Sequence, residues 1–319
     1  FTVPAPVITA PYVHQMSFSV ERAMPGGLVV KAGYVGKLGH NLLRMVQKNP
    51  AVYIPGQSTT ANTDQRRVHL PGVYSSFREV ATNSNSSYHS LIVSLNRRFN
   101  KGLTFLTAYT LGKFLDYYSA QNLGQTLQDP YNHRADRSRS DEDRRHVFVN
   151  SFVYEIPAWK SQKGILARAF GAWQLSGVVS FASGLPVWVR SDRDNSLTGV
   201  GFDRPDLAGN PVRSHADRND MVSQFFNIAA FVPNQPGRYG NAGRNLFSGP
   251  AQSTTDLSLT KNFLISEKLG RIQFRTEFFN ALNQVNFSQP EARQANRNFG
   301  RIQSAGSPRI VQFALKYLF

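Results

Sequence analysis

The amino-acid sequence predicts an all-β protein: an antiparallel transmembrane β-barrel that is incomplete within this chain. Three observations lead to this fold class: alternating strand-like segments, connections that are short and long in turn, and an unusual composition. Aromatic residues make up 12% of the chain and charged residues 18%, with a mean hydropathy of −0.34. No run approaches the ~18 apolar residues that a membrane helix requires. Composition alone leaves a β-sandwich, a soluble barrel and a membrane barrel open.

About nine segments alternate apolar and polar residues with a period of two, which is typical of strands. They are roughly 10–12 residues long, close to the length that crosses a membrane at a tilt. The alternation predicts one apolar face turned to lipid and one polar face turned to the lumen. The apolar face is predicted to include Phe274, Phe278, Phe313, Leu315 and Tyr317, and the polar face Gln273, Arg275 and Glu277.

The connections favour a membrane barrel over a sandwich. Short turns are predicted at Pro25–Gly27, Asn100–Gly102 and Ser266–Gly270, with an intermediate link around 157–169. Long polar connections are predicted at about 38–87, 116–144, 184–253 and 283–308. Outer-membrane barrels alternate tight periplasmic turns with long external loops, whereas a soluble sandwich has no reason to do so.

An odd strand count predicts an incomplete barrel, because single-chain bacterial barrels have even numbers of strands. An open sheet in lipid leaves unpaired backbone groups, each of which costs several kcal/mol. We therefore expect two unpaired edges, at about 15–24 and 309–319, and further strands upstream. The chain opens without an initiator Met or a recognisable signal peptide, which agrees with that expectation.

No pattern in the sequence indicates catalysis, a metal site or a cofactor. The chain has no cysteine, and its densest charge cluster, 134–146, interleaves cations with anions. We interpret that cluster as a salt-bridged, solvated loop rather than an acid–base or metal site. The segment 33–40 (GYVGKLGH) matches no phosphate-binding motif, and its glycines are interpreted as the rim of a strand. The protein is therefore not expected to be an enzyme.

The net charge of +16 raises the question of nucleic acid or an anionic membrane surface as a partner. Arg97-Arg98 and the basic residues of 134–146 match no nucleic-acid-binding motif, so nucleic acid is not expected as a partner. We expect contacts with outer-membrane lipid, in particular the phosphates of lipopolysaccharide, and an anion-attracting lumen.

Six segments, taken together and in order, resemble the C-terminal barrel of Oar-type TonB-dependent outer-membrane receptors. They span nearly the whole chain: YVGKLGHNLLRMVQKNP (34–50), SSYHSLIVSLNRRFNKGLTFLTAYTLGKFLD (86–116), DPYNHRADRSRSDEDRRHVFVNSFVYEIP (129–157), GAWQLSGVVSFASGLPVWV (171–189), RYGNAGRNLFSGPAQSTTDLSLTKNF (238–263) and RIQFRTEFFNALNQVNF (271–287).

The resemblance implies that residues 1–319 are the C-terminal part of one barrel domain of about 22 strands in the bacterial outer membrane. It also implies a plug and an N-terminal regulatory-like domain that are absent from this chain, and coupling to TonB through that missing part. The function implied is to form the wall and external loops of a receptor that takes up a small or oligomeric nutrient. The ligand-binding residues are unknown from the sequence. The alternative is a structural or adhesive outer-membrane barrel that transports nothing.

The final strand carries a candidate assembly signal. Outer-membrane proteins characteristically end in an aromatic residue on an alternating strand, which the barrel-assembly machinery recognises. Leu315, Tyr317 and Phe319 fit that arrangement. The alternative is an ordinary apolar strand that ends in Phe.

Overall fold

The computed structural model describes residues 1–100, 102–119, 127–157, 164, 167, 170–201, 203–266 and 269–319. Within them, nine long strands form one antiparallel sheet in which each strand pairs with the next along the chain. The strands are β1 (Tyr12–Met24), β2 (Leu28–Gln47), β3 (Arg78–Asn100), β4 (Leu103–Asp116), β5 (His146–Glu155), β6 (Trp173–Ala182), β7 (Gln252–Ser266), β8 (Gly270–Phe279) and β9 (Ile310–Leu318).

The sheet is open, as predicted. β1 pairs only with β2 and β9 only with β8, so each edge strand has one unpaired side. The all-β, antiparallel fold class is confirmed, and the nine strands form part of a barrel rather than a closed one. Among the described residues the helices are short, α1 (Arg218–Ser223) being an example, and none is long and apolar enough to span a membrane.

Short turns lie at one end of the sheet and long connections at the other. Gly26 and Gly27 between β1 and β2 have φ of 80° and 74°, a conformation that glycine adopts without steric cost. Gly102 and Gly270 close the next tight turns with φ of 86° and 80°. The predicted turns at 100–102 and 266–270 and the link at 157–169 include residues that lie outside the described ones.

One predicted connection is wrong. The segment 38–87 is not a single long loop, because β2 runs on to Gln47 and β3 begins at Arg78. The predicted strand rim at 33–40 accordingly lies inside β2. Irregularities between Gly39 and Leu42 and between Leu42 and Arg44 shift the register and interrupt the period of two. The other three connections agree with prediction to within a few residues.

The register divides the side chains into two faces. Cross-strand pairs such as Leu257–Phe278 and Phe278–Val311 place apolar side chains together along what we call the aromatic face. Pairs such as Ser258–Glu277 and Glu277–Gln312 lie on the opposite, polar face. The predicted sets therefore lie on opposite faces: Phe274, Phe278, Phe313, Leu315 and Tyr317 on one, and Gln273, Arg275 and Glu277 on the other.

The hydrophobic core lies outside the wall. Its buried members belong to the long connections at one end of the sheet: Val187, Val189, Phe226, Ala230, Phe231, Ala242 and Phe247. The large side chains of the aromatic face, among them Phe18 and Phe313, remain exposed. A wall whose apolar face is not covered by any layer of the described residues suits a lipid environment.

Candidate functional site

Four connections meet at one end of the sheet and form a unit that we call the loop cap: residues 48–77, 117–145, 183–251 and 280–309. The segment 183–251 contacts the other three. The amide of Ala51 donates to the carbonyl of Thr198 at 2.8 Å, and the amide of Ile302 donates to the carbonyl of Val222 at 3.0 Å. Gln128 Nε2 donates to the carbonyl of Gly240 at 2.9 Å. The long connections therefore form one folded structure.

Phe226 lies at the centre of the loop cap, and only 1% of it is exposed. Its ring centroid is 5.7 Å from that of Phe231 and 5.1 Å from those of Phe247 and Phe299. These are edge-to-face or tilted contacts of the kind that aromatic clusters favour. Because Phe299 belongs to a different connection, the aromatic cluster joins 183–251 to 280–309.

Arg244 joins the loop cap to the wall. Its guanidinium, 2% exposed, forms a buried ion pair with Asp116 at the loop end of β4. It also donates to Ser119 Oγ at 2.8 Å and to Asp141 Oδ1 at 3.4 Å. Asp116 lies on the polar face, so the contact holds segment 183–251 over the rim of that face. Removing one partner of such a buried pair leaves an uncompensated charge.

Arg204 and Asp136 form a second buried ion pair, with 3.1 Å between Nη1 and Oδ1. Burial raises the pKa of Asp136 to about 6, although the charges of Arg204, Arg244 and Arg44 oppose that shift. The second carboxylate oxygen of Asp136 has no hydrogen-bond partner in the described part of the chain, which agrees with a desolvated acid.

Two arginines join segments 48–77 and 183–251. Arg66 Nη2 donates to the carbonyls of Thr59 and Leu197 at 3.0 and 2.9 Å. Arg67 Nη1 donates to the carbonyl of Asn49 at 2.8 Å and to that of Thr198 at 3.4 Å. Both side chains are buried. Carbonyl groups from separate segments thus satisfy cations that would otherwise be costly to bury.

The interpretation of 134–146 as a solvated loop is wrong for two of its four acidic residues, although its salt bridges are confirmed. Asp136 and Asp143 are buried, and Asp143 accepts a hydrogen bond from Arg139 at 2.8 Å. Nothing in the sequence around Arg204 and Arg244 marks them as the partners of Asp136 and Asp116. Their partners are distant in sequence, so no local pattern could have indicated them.

A cavity of about 240 Å³ lies where segments 117–145, 183–251 and 280–309 meet. It is lined by Asp141, Pro186, Val187, Trp188, Arg190, Asn245, Gln289, Pro290 and Ala292. The guanidinium carbon of Arg190 lies 5.3 Å from the Trp188 ring centroid. Trp188 Nε1 and Asn245 Oδ1 are buried without a hydrogen-bond partner among the described residues. The cavity thus combines an unsatisfied donor, an unsatisfied acceptor and a stacked cation.

The residues of the candidate assembly signal lie at the turn end of β9. Leu315 and Tyr317 project from the aromatic face and are exposed, and Phe319 is fully exposed. The rings of Tyr317 and Phe319 lie 5.8 Å apart. The structure therefore brings the two aromatic side chains together at the edge strand. No group of three or more His, Cys, Asp or Glu side chains in the described ranges is placed to hold a metal ion.

A family model described as "Outer membrane beta barrel domain" matches residues 1–312. Among solved structures, the outer membrane transporter YddB from Escherichia coli aligns over 97% of this chain with a TM-score of 0.53 and 8% identity. The FrpB iron transporter from Neisseria meningitidis aligns over 99% of this chain (TM-score 0.48, 12% identity), and the pyoverdine receptor FpvA from Pseudomonas aeruginosa over 96% (TM-score 0.45, 9% identity).

These alignments cover 32% of YddB, 32% of FrpB and 30% of FpvA, so this chain spans about a third of each. At such low identity the likeness to YddB establishes the fold alone. No curated protein is significantly similar to this chain in sequence.

Proposed function

Because the chain belongs to the outer-membrane β-barrel domain family, we propose that it forms the wall and the ligand-contacting loops of a TonB-dependent transporter that takes up a nutrient. The chain is located in the bacterial outer membrane. The observation that carries the proposal is the loop cap. Buried ion pairs of Arg204 and Arg244 hold the long external loops in one arrangement over the polar face, and such preorganisation favours ligand binding.

The cavity beside Trp188 is the first place to expect ligand contact. Preorganised polar groups bind more tightly because less conformational freedom is lost on binding. Stacking on Trp188 orients the Arg190 guanidinium, which lines the cavity. Transport itself would use a plug and TonB contacts supplied by the rest of the whole protein. We infer no catalytic role for this chain.

The experiment is a deletion of the full-length gene in its own host. Growth would be compared on single limiting nutrient sources, such as a ferric siderophore or an oligosaccharide. We expect a growth defect on at least one source, restored by wild type but not by Arg190→Gln. A matched control is Arg218→Gln, which changes an exposed arginine on α1. A normal growth profile together with reduced cell attachment would favour the alternative, a structural or adhesive barrel that transports nothing.

We propose further that the barrel-assembly machinery reads Leu315, Tyr317 and Phe319. The exposure of all three at the unpaired edge of the sheet supports the proposal. Phe319→Ala in the full-length protein should sharply reduce the amount that reaches the outer membrane, while refolding into detergent should barely change. Phe278→Ala is the control, an apolar truncation away from the terminus that should leave surface amounts nearly normal. Equal surface amounts for Phe319→Ala and wild type would exclude an assembly role for the terminal ring.

A further inference from the structure

Four of the seven histidines lie on the aromatic face at the loop end of the wall. Their strand positions follow from the register: Tyr12 pairs with His40, His14 with Leu38, Gly36 with His89, and Leu111 with His146. The other three, His69, His133 and His215, belong to the loop cap. Because β1, β2, β3 and β5 each contribute one, the histidines form a band across the sheet rather than a local cluster.

Tyrosine hydroxyls orient two of these imidazoles. The distance between Tyr34 Oη and His89 Nδ1 is 2.7 Å, and that between Tyr109 Oη and His146 Nδ1 is also 2.7 Å. When Nδ1 accepts from the hydroxyl, the proton of the neutral imidazole is on Nε2, which is then a free donor. Both histidines are exposed. In that tautomer, the two Tyr–His pairs present oriented N–H donors at the lipid-facing surface.

The backbone makes room for this arrangement at Gly36. A Cβ atom at that position would lie 2.6 Å from Tyr34 Oη. Only glycine therefore lets the Tyr34 side chain pass over β2 to reach His89 on the next strand. The glycine that resembled a strand-rim residue in the sequence has a specific packing role in the band.

Charge on the aromatic face has a single sign. Where the strand register is continuous, the described acidic residues of the wall, such as Glu21, Asp256 and Glu277, project from the polar face. In that part of the sheet, the charged residues described on the aromatic face are all cations. One of them, Lys113, lies directly opposite His89 on the neighbouring strand. Lys113 is exposed. The band thus combines a cation with free N–H donors and contains no competing carboxylate.

The two rims of the aromatic face differ in composition. At the turn end, the side chains of Tyr154, Trp173, Phe263 and Tyr317 form an aromatic rim that contains no histidine among the described residues. Aromatic residues are found at both interfaces of membrane barrels, and the turn end of this face also has cations, Arg22, Arg97 and Lys261. The histidines are therefore what distinguishes the loop end. Whatever they bind belongs to the outer leaflet.

We propose that this band, formed by His14, His40, His89, Lys113 and His146 with Tyr34 and Tyr109, binds the phosphate groups of outer-leaflet lipopolysaccharide. Phosphate oxygens accept hydrogen bonds from imidazole and ammonium groups, and these bonds are strengthened by charge. The inference requires only the membrane location of the wall. It is independent of transport, so the two proposals can fail separately.

The test uses the full-length protein in phosphatidylcholine nanodiscs that contain purified lipopolysaccharide. Retained lipopolysaccharide per protein is measured after washing, for wild type and for the triple variant H89Q/K113Q/H146Q. The control is K31Q/K37Q/K316Q, which removes three exposed lysines from the polar face. We expect several-fold less lipopolysaccharide on the triple variant and a wild-type amount on the control. Heat-modifiable migration on gels verifies that each variant is folded.

Dephosphorylated lipopolysaccharide identifies the group that is bound. Wild type should retain several-fold less of it than of the intact lipid, and the triple variant should no longer distinguish the two. The single variant K113Q should retain less intact lipopolysaccharide than wild type does. This variant keeps the test decisive if the triple variant does not fold. Equal retention by wild type and K113Q or the triple variant, or equal retention of the two lipids by wild type, would overturn the proposal.

Discussion

Large apolar side chains are exposed in the wall and buried in the loop cap. Phe313 on β9 is 67% exposed, whereas Phe226 in the loop cap is 1% exposed. The contrast is weaker for charges, because Lys261 on β7 and Asp116 on β4 are also buried. Arg244 and Asp136 in the loop cap are buried, whereas Arg275 on the polar face of the wall is exposed. The loop cap therefore buries large apolar and charged side chains together, whereas β8 and β9 of the wall leave side chains of both kinds exposed.

The difference follows from the surroundings of each region. In the wall, the sheet ladder satisfies the backbone, and the side chains meet lipid on one face and the lumen on the other. The loop cap lies beyond the membrane, and it has to bury its own apolar residues to remain folded in water. We therefore expect truncations to destabilise the cap far more than the wall.

The sharpest test of this contrast pairs two phenylalanine truncations. Phe226→Ala should destabilise the loop cap by about 3–5 kcal/mol, because it leaves a cavity among packed rings. Phe313→Ala should have a much smaller effect, because its ring has no protein layer over it. In the full-length protein, hydrogen exchange is measured in segments 183–251 and 280–309 for Phe226→Ala and in β8 and β9 for Phe313→Ala. Equal effects of the two truncations would mean that the wall also has a packed core on its aromatic face.

Arg244→Ala tests whether a buried ion pair holds the cap to the wall. We expect a loss of about 3–5 kcal/mol, because Asp116 keeps a buried charge without its partner. Protease cleavage within 117–145 and 183–251 should become much faster, while the strands stay protected. Arg218→Ala on α1 is the matched control and should leave cleavage unchanged. Unaltered cleavage in Arg244→Ala would show that the aromatic cluster alone orders the cap.

The raised pKa of Asp136 predicts that the stability of the loop cap, and not that of the wall, depends on pH. Its pKa is about 6 in the folded protein, against 3.8 for an unperturbed carboxyl. The folded state therefore binds this proton more tightly than the unfolded state. The stabilisation from this group is complete below about pH 4 and is lost as the pH rises through 6.

Asp136→Asn should remove this dependence. Its stability relative to wild type should rise between pH 4 and pH 7, by about 1–3 kcal/mol from the shift in pKa. The measurement is thermal melting of the cap in the full-length protein, monitored by proteolysis of the loops. If the stability of the variant relative to wild type fell over that range, the attraction of Arg204 would outweigh burial.

The sequence predicted the wall well because strand alternation is a local pattern. The period of two assigned both faces of β8 and β9, including Phe274, Arg275 and Phe313. It failed in β2, where Asn41 has φ of 54° and the register shifts. Beyond that point both sides of the hairpin contain buried residues, such as Val46 and Gln47, so alternation no longer separates lipid from lumen.

The loop cap could not be predicted in the same way. Arg244 and Asp116 are separated by 128 positions, and Arg204 is far from Asp136 in sequence. A pattern of charges indicates that ion pairs form but not which distant cation completes them. That is why segment 134–146 was interpreted as solvated. The same limitation applies to the cavity at Trp188, which exists only because three segments meet there.

The most direct test of the central claim, that the two faces of the sheet meet lipid and lumen, uses the absence of cysteine in this chain. Single cysteines would be introduced at Gln312, Phe313, Ala314 and Leu315 of the full-length protein, after removal of any cysteine elsewhere in it. Each would be labelled in membranes with a lipid-soluble and a water-soluble maleimide. Positions 313 and 315 should react with the lipid-soluble reagent, and positions 312 and 314 with the water-soluble one. Reaction of all four positions with the same reagent, or the opposite alternation, would contradict the account.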